Sequence, residues 1–301
     1  MADKSARIVV VFGATGTQGG PVAKALAGDP QYKVRAVTRN PGSAKGKALS
    51  QIGCEVVKAD IDDVASLKSA LSGAYGCFAV TNWWEYFDKE KEIQQGKNIA
   101  DACADCGVKH LVFSSLDAAE KLKGISVAHF DGKAVIEEYM KAKGIPHTVV
   151  RYAFYAENLF GIMKPQKTQD GNFALGIPMG DVPMHMIVCA DAGECIHQLF
   201  NNPREWTGKS LGLASWIYTI DQYCDMFSKI LGVTVVNPKM TAEQMAGFGF
   251  PGANDLANMF RFYQCGIDRN PEECKRLNPK MATLEQWVTA NKEALLKAWN
   301  V

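Results

Sequence analysis

The sequence predicts an α/β fold, built on a doubly wound parallel sheet with a smaller mixed α/β region in its carboxy-terminal part. Three observations predict this fold. Residues 8–12 form an unbroken apolar run rich in β-branched side chains, which is typical of a strand buried on both faces. A glycine-rich turn follows and leads directly into a helical stretch over residues 18–27. Further apolar strands then alternate with helical stretches, which is the pattern of βαβ units.

The glycine-rich turn predicts a dinucleotide site of the Rossmann type. Glycine occupies every third position of this turn, which consists of Gly13, Ala14, Thr15, Gly16, Thr17, Gln18 and Gly19. Without Cβ atoms in the way, backbone N–H groups and the positive end of the next helix can reach a phosphate. The alternative is a tight turn without a ligand. The wider first gap, G-x-x-G-x-x-G, resembles the short-chain dehydrogenase superfamily and favours NAD(P) over FAD.

The loop after the second predicted strand indicates which nicotinamide nucleotide fits. That strand, residues 33–38, ends at Arg39 and Asn40, about twenty residues beyond the turn, where this fold meets the adenosine ribose. An acid there would favour NAD, but the sequence has no acid at this position. A guanidinium can chelate a 2′-phosphate, so Arg39 favours NADP(H). The alternative is a solvated basic turn.

The third predicted strand, residues 54–58, leads toward the adenine. Asp60 and Ile61 follow it and are expected to provide a polar and an apolar contact to the adenine. Asp62 or Asp63 is expected to cap the next helix. Both functions can coexist on different aspartates.

The fourth predicted strand, residues 77–80, leads toward the ribose on the nicotinamide side. Thr81, Asn82 and Trp83 follow it and are expected along that ribose. Trp83 and the adjacent Trp84 either stack on a ligand or form a half-buried lid.

The sequence contains only part of the set of catalytic residues that short-chain reductases use. Reductases of the short-chain type place Ser or Thr after the fifth strand and Tyr-x-x-x-Lys on the next helix, where the lysine lowers the tyrosine pKa. Ser114 and Lys133 fit this pattern, but His129 stands at the tyrosine position. His129 is either a proton donor or a helix-start residue. Lys133 either binds the ribose or nicotinamide side or acts as a lone base.

A set of short motifs extends from Ile8 to Tyr263: the glycine turn, TRNP, VTNWWE, AHFDGK, Y-x-E-N, PMGDVPM, and GFPGA with DLANMFRFY. Together they resemble the NmrA-like family, an atypical branch of the short-chain dehydrogenases, and especially its vertebrate members. The resemblance implies an NADP(H)-binding protein that senses the cellular redox state and lacks the dehydrogenase tetrad.

The resemblance also implies roles for individual residues. It places residues 13–18 on the diphosphate, Arg39 and Asn40 on the 2′-phosphate, and Lys133 near the nicotinamide. A further group is implied at the nicotinamide end, namely Tyr155, Ala156, Glu157 and Asn158. The implied protein partner is a regulated enzyme such as argininosuccinate synthase.

Composition excludes several classes of protein. The net charge of +1 gives no electrostatic reason to expect nucleic acid or a membrane surface as a partner. No signal-peptide pattern or membrane-spanning apolar run is evident. The nine cysteines are scattered, which is typical of a reducing compartment, and no metal site is expected. We expect a cytoplasmic protein, with the nucleus as a second location.

The 301 residues are expected to form two domains. Residues 1–155 form the NADP(H)-binding domain, to which residues 187–215 return, and residues 156–301 form a smaller domain at the wall of the cleft. Asp191 is expected to cap a helix. Thr283 is expected to open a closing helix through a capping box.

Two functions stay open. In the first, NADPH occupancy changes the shape or assembly of a regulatory protein, for example a homodimer, through its different affinity for two states. In the second, the protein is an NADPH-dependent reductase of quinones or enones that uses Lys133 or His129. An epimerase-type enzyme is disfavoured, because its chemistry needs the same missing tyrosine.

Overall fold

Strands and helices alternate along the first half of the chain. The computed structural model describes residues 6–301. Its strands are β1 (Arg7–Val11), β2 (Tyr32–Thr38), β3 (Glu55–Lys58), β4 (Gly76–Ala79), β5 (His110–Ser115), β6 (His147–Tyr152), β7 (Phe154–Tyr155), β8 (Gln166–Lys167), β9 (Phe173–Ala174), β10 (Met184–Ile187), β11 (Ser210–Leu213), β12 (Trp216–Tyr218) and β13 (Val235–Val236).

The helices lie between these strands and after them. They are α1 (Gly19–Ala27), α2 (Ala44–Gln51), α3 (Val64–Leu71), α4 (Lys89–Asp105), α5 (Ala119–Lys123), α6 (Ala128–Ala142), α7 (Cys189–Asn201), α8 (Pro203–Trp206), α9 (Ile220–Leu231), α10 (Ala242–Ala246), α11 (Ala253–Gln264), α12 (Pro271–Leu277), α13 (Leu284–Ala290) and α14 (Lys292–Trp299). Two short 3-10 turns, Trp83–Glu85 and Ala156–Phe160, follow β4 and β7.

The main sheet reverses its strand order at β1. Its order is β11-β6-β5-β4-β1-β2-β3, and β1 pairs in parallel with β2 on one side and β4 on the other. The chain therefore builds β2 and β3 on one side and then crosses to build β4, β5 and β6 on the other. In such sheets the crevice outside the carboxyl ends of the strands at the reversal is where ligands bind. The predicted doubly wound, Rossmann-type fold is confirmed.

Helices cover both faces of this sheet. On one face Phe12 and Phe113 belong to a continuous buried core with α3, α4 and α6. On the other, α1 packs tightly against α7, where a Cβ at Gly193 would lie 2.7 Å from the backbone of Pro21. Burial on both faces explains why the central strands β1 and β4 are apolar without alternation.

The described chain divides into two compact units. The first comprises residues up to Ala118 together with Ala128–Arg151 and Cys189–Leu211. The second comprises Ala119–Val127, Tyr152–Val188 and Gly212–Val301. No pattern in the sequence indicates that Ala119–Val127, which lies between two segments of the first unit, belongs to the second unit.

The second unit contains two small sheets and a series of short helices. Strands β12, β10 and β7 form one sheet, and β13, β9 and β8 form the other. Its core is partly aromatic, because the ring of Trp299 contacts Phe173 and Phe227. The indole N–H of Trp299 also donates to the carbonyl of Leu159 at 2.8 Å. The mixed carboxy-terminal region is therefore present as predicted.

The helix start predicted at Asp191 is wrong. Helix α7 begins at Cys189, so Asp191 lies inside its first turn. An acid in this position still interacts favourably with the helix dipole, which explains why it resembled a cap in the sequence.

The closing segment is two helices rather than one. The capping box of Thr283 and Gln286 opens α13 as predicted, but α13 ends at Ala290 and α14 follows it. At the break, the side chain of Asn291 donates to the carbonyl of Trp287 at 2.9 Å. Asparagine competes for backbone groups in this way and favours helix ends.

Within residues 6–301 all the cysteines are free thiols, and only Cys265 is exposed. In the same range no three His, Cys, Asp or Glu side chains converge on a common point in a way that could hold a metal ion. None of the described helices combines the length and apolar character needed to cross a bilayer.

Candidate nucleotide site

The glycine turn is folded so tightly that a Cβ atom would be crowded at three of its positions. Gly13 has a φ of +64°, and a Cβ there would lie 2.9 Å from the side chain of Val80. A Cβ at Gly16 would lie 3.1 Å, and one at Gly19 2.4 Å, from the carbonyl oxygen of Gly13. Helix α1 then starts without a hydrogen bond from a capping side chain. Glycine at these positions keeps Cβ atoms away from the turn and the helix start, which is what a diphosphate cradle needs.

The sheet brings four groups of predicted ligand residues to one edge, because the carboxyl ends of parallel strands lie together. These groups follow β1, β2, β3 and β4 in turn: residues 13–18, Arg39 with Asn40, Asp60 with Ile61, and Thr81 with Asn82 and Trp83. The remaining predicted residues belong to the second unit, in β7 and the 3-10 turn after it: Tyr155, Ala156, Glu157 and Asn158.

Arg39 is engaged by a carboxylate that the sequence did not reveal. Its guanidinium donates to both oxygens of Glu85, with Nη2 at 3.3 Å from Oε2. These hydrogen bonds raise the pKa of Arg39 and lower the pKa of Glu85. The residues next to Arg39 in the sequence include no acid, and the turn after β4 supplies this one from a distant part of the chain. The Arg39 side chain is still 60% exposed, so a ligand can reach it.

Asp60 and Ile61 are fixed by hydrogen bonds within the loop after β3. Asp60 Oδ1 accepts from the N–H of Asp62 at 3.0 Å, and the side chain of Asn98 donates to the Ile61 carbonyl at 3.0 Å. Asp63 caps α3, which confirms one of the two predicted caps. The loop therefore has a defined shape at the edge where adenine is expected.

The Lys133 ammonium lies in a buried polar cluster with Thr81 and Glu92. It donates to the Thr81 carbonyl at 3.0 Å, to the Thr81 hydroxyl at 2.9 Å, and to Glu92 Oε1. The Thr81 hydroxyl in turn donates to Glu92 Oε1 at 2.8 Å. An ammonium has three N–H bonds, so all three are directed at groups of the protein. Lys133 is 7% and Glu92 1% exposed.

The sequence did not point to Glu92 as a residue of the site. The sequence signal for its burial is the helical spacing of Glu92 to Gly96, Ile99 and Cys103, which places it on the buried face of α4. The glycine of the AHFDGK motif makes room for it, because a Cβ at Gly132 would lie 3.2 Å from Glu92 Oε2. A buried acid facing a buried lysine thus links α4 to α6.

His129 is packed among aromatic rings. Its ring centroid lies 5.7 Å from that of Trp83, 5.0 Å from Trp84 and 4.7 Å from Phe130. The residue is only 5% exposed. The second residue of α6 is therefore held against the turn that follows β4.

The fold is that of a Rossmann-type α/β protein with a glycine turn where the strand order reverses. The chain belongs to the NmrA-like family, whose model matches residues 5–296. It is similar to the NmrA-like family domain-containing oxidoreductase FrzB of Cladobotryum sp, with 32% identity over 283 residues, 85% of this chain and 84% of that protein. The predicted family is confirmed, and the finer resemblance to vertebrate members stays a prediction.

The solved structures that share the fold include two nicotinamide-nucleotide complexes. One is NmrA, a negative transcriptional regulator, in complex with NADP, with a TM-score of 0.83 and 21% identity over 99% of this chain and 100% of that one. The other is the NADPH-dependent quinone oxidoreductase QOR2 from Escherichia coli, complexed with NADPH, with a TM-score of 0.78 and 24% identity over 94% of this chain and 99% of that one.

Proposed function

We propose that this protein binds NADP(H) at the glycine turn and acts as a redox-sensing regulator rather than an ordinary dehydrogenase. The observation that carries the proposal is a tightly folded glycine turn that leads into a helix start, at the same sheet edge as a lysine whose ammonium is directed at Thr81 and Glu92. The tyrosine that such a lysine would activate is replaced by His129, which is packed among rings. NADP bound to the related fold of NmrA supports the nucleotide assignment.

The proposal gives each group of residues a binding role. Residues 13–18 would hold the diphosphate, Arg39 with Asn40 the 2′-phosphate, and Asp60 with Ile61 the adenine. Thr81, Asn82 and Trp83 would lie along the ribose, and residues 155–158 would serve the nicotinamide end. When bound in its reduced form, the nucleotide supplies a hydride. Lys133 and Glu92 would fix the end of β4 against α4 and α6, which keeps Thr81 in place.

NADPH is expected to change the mass or shape of the protein in solution without being consumed. A ligand shifts a conformational equilibrium only by binding one state more tightly than the other, so sensing requires such a change. Light scattering and X-ray scattering with NADPH, NADP⁺ and NADH measure it, and the absorbance of the reduced nicotinamide monitors consumption. Binding without any change in mass or shape would contradict the regulatory role. An absence of binding heat with either form of the nucleotide would contradict the site itself.

Arg39→Ala is expected to lower the affinity for NADPH by about tenfold or more and to change the affinity for NADH little, because only NADPH carries the 2′-phosphate. Calorimetric titration of both nucleotides measures the two affinities. Lys33→Ala is the matched control, since it removes one positive charge from an exposed position at the opposite end of β2. If Arg39→Ala lowered the affinities for NADPH and NADH equally, the 2′-phosphate would have to lie elsewhere.

A reductase function has support from relatives, since FrzB is named an oxidoreductase and QOR2 a quinone oxidoreductase. In this second candidate, NADPH would reduce a quinone or enone, and Lys133, His129 or water would supply the proton. NADPH consumption across a panel of quinones tests it. Turnover that Lys133→Met abolishes without loss of NADPH affinity would favour the enzyme over the regulator.

The associations of the protein are proposed from the family resemblance. The protein would form a homodimer and would bind a regulated enzyme such as argininosuccinate synthase. It would be located in the cytoplasm and the nucleus. Co-purification with and without NADPH tests the protein partner.

A further inference from the structure

The segment after β4 combines exposed rings with a strained backbone. We call residues 83–87, the 3-10 turn Trp83–Glu85 with Tyr86 and Phe87, the aromatic turn. Phe87 has a φ of +54°, a left-handed conformation that bulky side chains rarely adopt. Trp84, Tyr86 and Phe87 are 36%, 42% and 44% exposed. A strained segment with exposed rings persists only where other contacts hold it.

One of those contacts reaches the proposed nucleotide site. Glu85 of the aromatic turn accepts from both terminal nitrogens of Arg39, which follows β2. The ion pair therefore ties the aromatic turn to the residue assigned to the 2′-phosphate. The Glu85 side chain is 32% exposed, so the pair is within reach of solvent and of a ligand.

We infer that Glu85 competes with the 2′-phosphate of NADP(H) for Arg39, and that it sets the preference between NADP(H) and NAD(H). This inference rests on the proposed function, since it needs the nucleotide at Arg39. Carboxylates and phosphates use the same paired N–H groups of a guanidinium. A phosphate monoester carries about −1.5 to −2 charges and so attracts Arg39 more strongly than a carboxylate does.

The competition lowers the affinity for one nucleotide only. To bind Arg39, the 2′-phosphate displaces Glu85 and must then tolerate a carboxylate close by, which costs affinity through like-charge repulsion. NAD(H) carries a hydroxyl in place of the phosphate, so it leaves the Arg39–Glu85 pair intact. Glu85 therefore acts as a specificity-determining residue.

Displacement of Glu85 also affects the aromatic turn. Trp84 lies in the same turn, with its ring centroid 5.0 Å from that of His129 and 6.0 Å from that of Phe87. Once Arg39 releases Glu85, the turn loses its tie to the end of β2. Binding of a 2′-phosphate at Arg39 thus changes the environment of the Trp84 ring, although the phosphate does not contact Trp84.

Affinity measurements on Glu85→Gln test the competition. The substitution keeps the size of the side chain and removes its charge. We expect NADPH affinity to rise by about threefold to tenfold and NADH affinity to change by less than about twofold. Glu90→Gln, which removes the same charge from the exposed first turn of α4, is expected to leave the ratio of the two affinities unchanged. An unchanged ratio in Glu85→Gln would overturn the inference.

Tryptophan fluorescence tests the coupling to the aromatic turn. Adenosine 2′,5′-bisphosphate carries the 2′-phosphate without a nicotinamide, and ADP lacks the 2′-phosphate. We expect the bisphosphate but not ADP to change the emission of the wild-type protein, and Trp84→Phe to remove that change. Ligand-free Glu85→Gln is expected to show the altered emission already. An equal response to both ligands would overturn the coupling, whereas no binding of NADPH or NADH to any variant would overturn the proposed function instead.

Discussion

Lys133→Met should lower the free energy of unfolding by about 3–5 kcal/mol, because it leaves the Glu92 carboxylate buried without its counter-charge. Glu92 is 1% exposed, so water cannot replace the ammonium. The Thr81 hydroxyl still donates to Glu92 but carries no charge. Denaturant unfolding of the wild-type protein and the variant at neutral pH measures the difference.

Two further variants separate charge burial from general damage. Lys133→Met combined with Glu92→Leu removes both charges and should recover most of the loss, since apolar side chains of similar volume replace a buried ion pair at little cost. Lys143→Met is the matched control. Lys143 bonds Asp101 at 3.2 Å on the surface, so its loss should cost less than about 1 kcal/mol. Equal losses in Lys133→Met and Lys143→Met would contradict the buried pair.

The same variants bear on the role of Lys133. If the ammonium serves to hold the end of β4 against α4, the combined variant should bind NADPH with nearly wild-type affinity. If it binds the ribose directly, the combined variant should lose NADPH affinity although its stability is restored. Stability and affinity therefore report on two different roles of one side chain.

The local parts of the site could be predicted from the sequence because they depend on neighbours along the chain. An apolar strand, a glycine turn and a helix start define the shape at Gly13 to Gly19 with little help from the rest of the molecule. The positions of the other strand ends follow from the regular topology of parallel sheets. That regularity brings Arg39 and Thr81 to the same edge as the turn.

The two acids at the site could not be predicted in the same way. Glu85 pairs with Arg39, and Glu92 pairs with Lys133, although the partners lie far apart in the sequence. The chain contains many other lysines and arginines, so the sequence does not indicate which one each acid contacts. A glutamate on a helix is usually exposed, so only the apolar spacing around Glu92 hinted at its burial. For Glu85 the conformation of the aromatic turn decides the partner, and a strained φ at Phe87 leaves no signature in the sequence.

Gly19→Ala should reduce NADPH affinity by about a hundredfold or more, because the added methyl group has no space in the turn. Its Cβ would lie 2.4 Å from the carbonyl oxygen of Gly13 and 2.7 Å from that of Phe12. Both are backbone atoms and cannot rotate away, so the turn must open and carry its N–H groups away from the diphosphate. Calorimetric titration with NADPH measures the affinity, and thermal unfolding monitors the stability of each variant.

A graded series of glycine variants distinguishes this geometric cause from a general loss of stability. Gly28→Ala, at the other end of α1, places a Cβ 3.4 Å from the carbonyl oxygen of Ala25, which is ordinary contact, and should bind NADPH normally. Gly16→Ala, at 3.1 Å from Gly13, should give an intermediate loss. Because the order of affinities should follow the order of these distances, wild-type binding by Gly19→Ala would mean that the nucleotide does not lie on the glycine turn.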